Sequence, residues 1–189
     1  RMCVVEVEQI KKNLPAACAM PVGAGMTIHT NSPKVREARQ TILELIIANH
    51  PLECLTCEKN GDCKLQDYCY EYGVQETPYE GERREFTVDD NNPFIERDLD
   101  KCILCGKCVR VCAEIQGVHA IDFINRGFDT KIGTFYDGEL IDSPCVYCGQ
   151  CVYMCPVGAL TPIPSKRLGR SYDVDKIQTT CPYCGVGCQ

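Results

Sequence analysis

Cysteines at short, regular intervals are the most chemically distinctive feature of this 189-residue sequence, which contains 17 of them. Two stretches repeat the pattern C-x2-C-x2-C-x3-C at an offset of 43 residues. Their thiols are Cys102, Cys105, Cys108 and Cys112 in the first copy, and Cys145, Cys148, Cys151 and Cys155 in the second. Because soft thiolates at every third residue can surround one face of a compact cluster, the pattern indicates iron-sulfur chemistry.

The repeat predicts two 4Fe-4S clusters that exchange one ligand each. In two-cluster ferredoxins the fourth cysteine of a run ligates the other cluster. The expected sets are therefore Cys102, Cys105, Cys108 and Cys155 for one cluster, and Cys145, Cys148, Cys151 and Cys112 for the other. Gly106 and Gly149 suit the tight loop of each copy. Pro156 matches the proline that usually ends such a run, whereas Ala113 stands at that position in the first copy.

A third set of four candidate ligands precedes the repeat. It consists of His50, Cys54, Cys57 and Cys63. Three thiolates and one imidazole complete a 4Fe-4S site, and the alternative is that Cys69 replaces His50 as the fourth ligand. Because a neutral imidazole changes the net charge of a cluster, this choice also affects its reduction potential.

The remaining candidate ligands lie near the two ends of the sequence. Cys3 and Cys18 suit the latter half of a plant-type 2Fe-2S site whose other two cysteines would precede Arg1. A disulfide or two unpaired thiols are the alternatives for that pair. The last motif, C-x2-C-x3-C, comprises Cys181, Cys184 and Cys188. It predicts a further 4Fe-4S cluster with its fourth ligand downstream.

Other chemistries fit the sequence less well. Zinc sites normally use separated cysteine pairs and disulfide frameworks suit secreted chains, so neither predicts a duplicated four-cysteine run. With 26 acidic against 20 basic residues, the formal net charge is −6, the opposite of what binds a phosphate backbone. Nucleic acid is therefore not an expected partner. No membrane span is expected either, because the best apolar run, Ile42 to Ala48, is short and contains Glu44.

One helix is clearly predicted. Asn31 or Ser32 would be its N-cap, Pro33 lies near its first turn, and His50 and Pro51 would end it. Its apolar stripe at helical spacing comprises Val35, Ala38, Ile42, Leu45 and Ile46. We expect this stripe to pack against neighbouring elements rather than to bind a ligand.

Short strands are predicted around residues 3–7 and 26–30, and a short strand or hairpin between the cysteine runs, within residues 113–144. The fold class expected is α+β, with small cluster-bound modules in series, one of them a two-cluster ferredoxin-like domain. A polar stretch around residues 75–97 and a basic group (Lys166, Arg167 and Arg170) are expected to be solvated connections.

These features predict six segments. They are the C-terminal part of a 2Fe-2S ferredoxin-like domain (1–32), a helix with a His/Cys-ligated 4Fe-4S module (33–75), a linker (76–97), a two-cluster 4Fe-4S ferredoxin domain (98–165), a second linker (166–180) and the start of a further 4Fe-4S domain (181–189).

The order of these motifs resembles the amino-terminal iron-sulfur region of a formate dehydrogenase alpha subunit, a member of the molybdopterin oxidoreductases. The resemblance rests on the truncated 2Fe-2S tail, the His50 set, the duplicated run and the final Cys-Pro-Tyr-Cys-Gly-Val-Gly-Cys. It implies that residues 181–189 begin a molybdopterin oxidoreductase 4Fe-4S domain. It also implies a molybdenum or tungsten bis-pterin guanine dinucleotide downstream, where formate and carbon dioxide are interconverted. This piece itself would carry electrons and no catalytic residues.

The same resemblance implies a cytoplasmic hetero-oligomer with redox partner subunits of the flavin/NAD(P)-binding, ferredoxin or hydrogenase type. Iron-only hydrogenases and the large iron-sulfur subunit of NADH-quinone oxidoreductase share most of the motifs. The Cys181 motif is expected to be absent from the first, and the full two-cluster repeat from the second. A stand-alone polyferredoxin and an accessory domain of an iron-only hydrogenase are the alternative functions.

Overall fold

Short helices and small antiparallel strand pairs make up the fold. The computed structural model describes residues 2–10, 13–166, 168–175, 177–182 and 185–187. The strands are β1 (Glu6–Val7), β2 (Ile28–His29), β3 (Ile95–Arg97), β4 (Asp122–Ile124), β5 (Lys131–Gly133) and β6 (Leu160–Pro162). The helices are α1 (Pro33–Ile47), α2 (Lys64–Tyr72), α3 (Lys107–Arg110) and α4 (Gln150–Met154).

Helix α1 begins where the sequence predicts and ends slightly earlier. The side-chain oxygen of Ser32 accepts a hydrogen bond from the backbone N–H of Val35 at 3.4 Å, so Ser32 is the N-cap. The helix is described to Ile47, ahead of the predicted stop at His50 and Pro51.

The buried face of α1 differs from the predicted stripe. Val35, Leu43 and Ile47 are buried, whereas Leu45 is 52% exposed. Between Ile42 and Ile47 only Glu44 interrupts the apolar residues, so the sequence periodicity does not select one face. Packing against α2 and the core selects it instead.

Among the described residues the strands form three antiparallel pairs, two of which join distant parts of the chain. Glu6 of β1 pairs with His29 of β2, which confirms the two predicted strands near the start. Between the cysteine runs, Phe123 of β4 pairs with Ile132 of β5, so the predicted hairpin is present. The third pair brings β3 and β6 together across the cysteine-rich segment.

One core of buried side chains extends from α1 to β6. It includes Leu43, Leu65, Val74, Ile95, Ile121, Val157 and Leu160, together with the thiols of Cys63, Cys108 and Cys155. Candidate ligands are thus part of the packing itself. The arrangement is a small mixed helix and sheet, ferredoxin-like domain.

The polar stretch around residues 75–97 is not a solvated connection throughout. Ile95 and Arg97 are 2% and 6% exposed, because β3 pairs with β6 and turns both side chains inward. The Arg97 guanidinium lies 2.6 Å from the Asp89 carboxylate. The predicted segment boundaries remain a prediction. The core contains side chains from three of the predicted segments, 33–75, 76–97 and 98–165. Within the part of the chain that the structure describes, no helix is long and apolar enough to cross a membrane.

Candidate metal centres

The two cysteine runs begin with the same local conformation. Gly106 (φ 71°) and Gly149 (φ 74°) occupy the left-handed region immediately before α3 and α4. Leu104 (φ 52°) and Tyr147 (φ 51°) share the same unusual backbone region within the first C-x-x-C of each run. A left-handed residue at each position turns the loop tightly, so that successive thiols point to one side.

Backbone N–H groups are directed at several of the sulfurs. The N–H of Leu104 contacts Cys102 Sγ at 3.4 Å, and the N–H of Tyr147 contacts Cys145 Sγ at 3.4 Å. The N–H of Ala120 lies 3.3 Å from Cys112 Sγ. Such donors favour a negatively charged sulfur and tune the reduction potential of a bound cluster.

Each run contributes its fourth thiol to the other run's cavity. One cavity is lined by Cys102, Cys105, Cys108 and Cys155, with apolar neighbours that include Leu99, Ile121 and Val157. The other is lined by Cys112, Cys145, Cys148 and Cys151. The structure therefore brings together both sets of thiols predicted from the repeat.

Helix packing produces this exchange. Helices α3 and α4 contact one another, so the end of each run points towards the start of the other. Cys155 follows α4 in an extended conformation before Pro156, whereas Cys112 lies in a π-helical turn, Val111–Ile115, that continues α3. Ala113 in place of proline permits this continuation, because proline would remove a backbone N–H from the turn.

Burial disfavours the ionised form of several of these thiols. It raises the pKa of Cys108 and of Cys151 to about 12, and that of Cys102 to about 11. Neighbouring thiols add to the rise, Cys102 and Cys155 for Cys108. Buried thiolates need a positive counter-charge, which iron bound in the cavity would supply.

The third set also meets at one cavity. His50, Cys54, Cys57 and Cys63 line it together with Lys101 and Gly158. His50 is buried, and burial lowers its pKa to about 4, with the charge of Lys101 adding to the effect. Among the described residues, its Nδ1 has no hydrogen-bond partner. A neutral buried imidazole with an unused nitrogen fits a metal ligand.

Cys69 lies beside this set rather than within it. Its thiol is half-buried on α2, and it lines a neighbouring cavity with His50, Cys54 and Cys63. Cys57 is not part of that second lining. The geometry therefore favours His50 over Cys69 as the fourth group around the cavity shared by all three thiols.

Gly158 is a site residue that the sequence analysis missed. A Cβ atom at this position would lie 2.6 Å from Cys57 Sγ, closer than real Cβ atoms approach other heavy atoms. The glycine therefore lets the backbone after Cys155 approach a sulfur of the His50 set. Its position two residues after Pro156, at the end of the repeat, was the available sequence signal.

Arg170 also reaches this region, contrary to the expected solvated run. Its guanidinium donates to the carbonyl oxygens of Cys57 and, at 3.0 Å, Leu55. Lys166 pairs with Glu96, and Arg167 lies outside the described residues. Arg170 thus supports the loop that carries the third set.

The terminal candidates are only partly described. Cys3 Sγ and Cys18 Sγ lie 3.1 Å apart, and both cysteines are free. Their shared hydrogen bond lowers the pKa of Cys3 and raises that of Cys18. Cys181 is half-buried, whereas Cys184 and Cys188 lie outside the described residues.

Among the residues that the structure describes, no three histidine, cysteine or acidic side chains converge closely enough to hold one metal ion.

Two family models match the chain over these cavities. The model described as "NADH-ubiquinone oxidoreductase-G iron-sulfur binding region" matches residues 39–78, which include the His50 set. The model described as "NADH-quinone oxidoreductase subunit 3, ferredoxin-like domain" matches residues 92–161, which include the duplicated run.

Similar proteins include hydrogenase and NADH-quinone oxidoreductase subunits. The chain is 42% identical to NADP-reducing hydrogenase subunit HndD of Solidesulfovibrio fructosivorans, over 85% of this chain and 27% of that protein. It is 40% identical to an NADH-quinone oxidoreductase subunit of Rhizobium meliloti (strain 1021), over 100% of this chain and 22% of that protein. The chain thus spans about a quarter of the length of these curated relatives.

A solved structure shares the fold. A chain of the NAD+-reducing [NiFe]-hydrogenase in its H2-reduced state aligns with a TM-score of 0.79 and 30% identity. The alignment covers 90% of the present chain and 70% of the hydrogenase chain.

These similarities correct the expected parent enzyme. The expectation that the parent enzyme is a formate dehydrogenase is wrong, because the relatives are NADH-quinone oxidoreductase and hydrogenase subunits. The expected downstream molybdenum or tungsten pterin loses its support with it. The duplicated run was also expected to be absent from the NADH-quinone oxidoreductase subunit, yet the ferredoxin-like family model matches over that run. Cysteine spacing reports which cluster is held, and it carries no information about the substrate oxidised elsewhere.

Proposed function

The chain belongs to the family of iron-sulfur regions that NADH-quinone oxidoreductases share with hydrogenases, and from this premise we propose which clusters it holds. It is an electron-transfer domain of an oxidoreductase. In our proposal three 4Fe-4S clusters lie within the chain. Their ligands are Cys102, Cys105, Cys108 and Cys155 in the first, Cys112, Cys145, Cys148 and Cys151 in the second, and His50, Cys54, Cys57 and Cys63 in the third.

The exchange of Cys112 and Cys155 is the observation that carries this proposal. Each cavity holds three thiols of one run and the last thiol of the other. A disulfide framework has no need of four thiols around one cavity, and these cysteines are free. A pair of four-iron clusters explains both the count and the exchange.

The protein's own residues prepare each cavity for electron transfer. When bound, the clusters supply reversible one-electron chemistry. The apolar neighbours Leu99, Ile121 and Val157 exclude water from the first cavity. Backbone N–H groups of Leu104 and Tyr147 stabilise the negative sulfurs. Because the thiols belong to the packed core, little rearrangement accompanies a change of charge.

Further clusters are proposed at both ends of the chain. Cys3 and Cys18 would ligate one iron of a 2Fe-2S cluster, which their 3.1 Å separation supports. Cys181, Cys184 and Cys188 would hold three corners of an additional 4Fe-4S cluster. In each case the remaining ligands would come from residues outside the present sequence.

The parent protein is proposed to exchange electrons with a nicotinamide nucleotide through other subunits. The support is that the similar proteins are named for NADH, NADP or NAD+. A hetero-oligomer with flavin/NAD(P)-binding or hydrogenase-type partners follows from this proposal. A reducing, cytoplasmic environment suits clusters held by free thiols.

Substitution of one thiol per site tests the cluster assignments. Cys108→Ser, Cys151→Ser and Cys57→Ser are each expected to remove or alter one reduced-state EPR signal and to leave the other two. Cys69→Ser serves as the matched control, and all three signals should persist in it. The proposal is wrong if the reduced wild-type chain carries no such signals, or if Cys108→Ser and Cys151→Ser change the same one.

A further inference from the structure

Lys101 brings a positive charge into the wall of the His50 cavity from another part of the chain. Lys101 immediately precedes Cys102, a proposed ligand of the first cluster. It nevertheless lines the cavity of His50, Cys57 and Cys63. A Cβ atom built on Gly158 would lie 3.4 Å from Lys101 Cδ and 2.6 Å from Cys57 Sγ. Because both atoms lie near this one point, Lys101 Cδ is no more than about 6 Å from that sulfur.

Asp98 holds the ammonium group in place. Lys101 Nζ lies 2.5 Å from Asp98 Oδ2, and the two side chains are only 18% and 14% exposed. The backbone N–H of Asp98 donates to Ala159 O at 2.9 Å, which fixes the acid to the segment after Cys155. Lys101 lines the cavity and Asp98 does not, so the lysine is the member of the pair next to the cluster site.

Two other charged groups among the described residues line this cavity. Lys59 is 20% exposed, about as buried as Lys101, but its partner Asp62 is 46% exposed, whereas Asp98 is 14% exposed. Glu53 is exposed to solvent. Charges in contact with water act over short distances only, whereas a buried charge acts through a lower effective dielectric constant. Lys101 and Asp98 thus form the more deeply buried of the two ion pairs at this cavity.

We propose that Lys101 raises the reduction potential of the cluster held by His50, Cys54, Cys57 and Cys63, and that Asp98 moderates this effect. Reduction adds one electron to the cluster, so a nearby positive charge stabilises the reduced form and a negative charge destabilises it. The neutral imidazole of His50 acts in the same direction as Lys101, because it replaces a negative thiolate. The inference rests on the proposed function, since it requires this cluster to be present.

EPR-monitored redox titration of the full chain with its clusters tests the proposal. Lys101→Met should lower the midpoint potential of the His50 cluster, whereas Lys101→Arg, which keeps the charge, should restore most of the wild-type value. Asp98→Asn should shift the potential in the opposite direction, upwards. Lys131→Met is the matched control, because Lys131 is also 18% exposed and ion-paired but does not line this cavity.

The possible failures are distinguishable. If Lys101→Met does not fold, because it leaves Asp98 without its partner, the upward shift in Asp98→Asn still decides the matter. Unchanged potentials in Lys101→Met and Asp98→Asn, with the His50-cluster signal present, would overturn the role of Lys101 alone. Absence of that signal from the wild-type chain would overturn both this inference and the proposed third cluster.

Discussion

The backbone N–H of Lys64 donates to the carbonyl oxygen of Pro156 at 2.9 Å. Lys64 follows Cys63 of the His50 set, and Pro156 follows Cys155, a proposed ligand of the first cluster. The donor is the first N–H of α2, which has no acceptor within its own helix. One hydrogen bond therefore completes the start of a helix and also links two candidate cluster sites.

We predict that Lys64→Pro removes this link without disrupting the fold. Proline is accepted at the first helical position, and Cys63 (φ −114°, ψ 116°) already has the extended conformation that precedes proline. The variant should lose roughly 1 kcal/mol of unfolding free energy. It should also slow electron exchange between the His50 cluster and the Cys102 cluster, measured by freeze-quench EPR after rapid partial reduction.

Lys64→Ala is the control for this substitution. It keeps the backbone N–H and removes only the exposed ion pair with Asp67, which contributes little. Its exchange rate should equal that of the wild type. Equal rates in Lys64→Pro and Lys64→Ala, with all clusters present, would show that the hydrogen bond does not couple the sites.

Gly158→Ala is expected to displace Cys57 and reduce occupancy of the His50 cluster. The added methyl group would meet the sulfur at 2.6 Å, and the nearby backbone cannot move freely because Ala159 and Pro156 are both hydrogen-bonded. Iron content and the EPR signal of this cluster should fall, while the two other signals persist. Gly81→Ala is the control, since a Cβ there meets nothing within 4 Å. Equal iron contents in the two variants would refute the close approach.

His50→Ala and Cys69→Ser discriminate between the two candidate fourth ligands. His50→Ala should abolish or strongly alter the EPR signal of the third cluster, because it removes a buried imidazole that lines the cavity and whose Nδ1 has no hydrogen-bond partner among the described residues. Cys69→Ser should leave this signal at its wild-type position. The reverse pattern would assign the ligand to Cys69.

The buried pair of Arg97 and Asp89 is expected to stabilise the fold strongly. Besides their 2.6 Å contact, Arg97 donates to Gly138 O at 3.2 Å, and Asp89 accepts from the backbone N–H of Leu140 at 3.0 Å. Arg97→Met leaves a carboxylate buried without its partner and should cost about 3 to 5 kcal/mol in chemical denaturation. Lys59→Met should lower the free energy of unfolding by at most about 1 kcal/mol, because its partner Asp62 is 46% exposed. Similar losses in both variants would contradict this account.

Local sequence rules predicted the parts of the fold that depend on near neighbours. Ser32 caps α1, and Gly106 and Gly149 take the left-handed conformation of the tight loops. That Cys112 and Cys155 each line the cavity of the other run was also predictable, because it follows from a repeat. Other contacts between distant segments were not predictable from the sequence. The buried face of α1, the approach of Gly158 to Cys57 and the contacts of Arg170 depend on tertiary packing that no local pattern encodes.

The parent enzyme was the weakest part of the sequence prediction, for a chemical reason. Thiolate spacing around Cys102 or Cys145 is determined by the size of the cluster and the geometry of the loop. Formate dehydrogenases, hydrogenases and NADH-quinone oxidoreductases can hold the same clusters, so these residues do not identify the reaction. The family matches over residues 39–78 and 92–161 supplied the distinction.

Quantification of iron and acid-labile sulfide in the folded, anaerobically prepared chain tests the central claim most directly. Three four-iron sites predict iron and sulfide in equal amounts, at least roughly 12 of each per chain. Low-temperature EPR of the reduced sample should resolve separate signals for the three sites. A correctly folded chain that contains no inorganic sulfide, or that holds zinc in its place, would contradict the account.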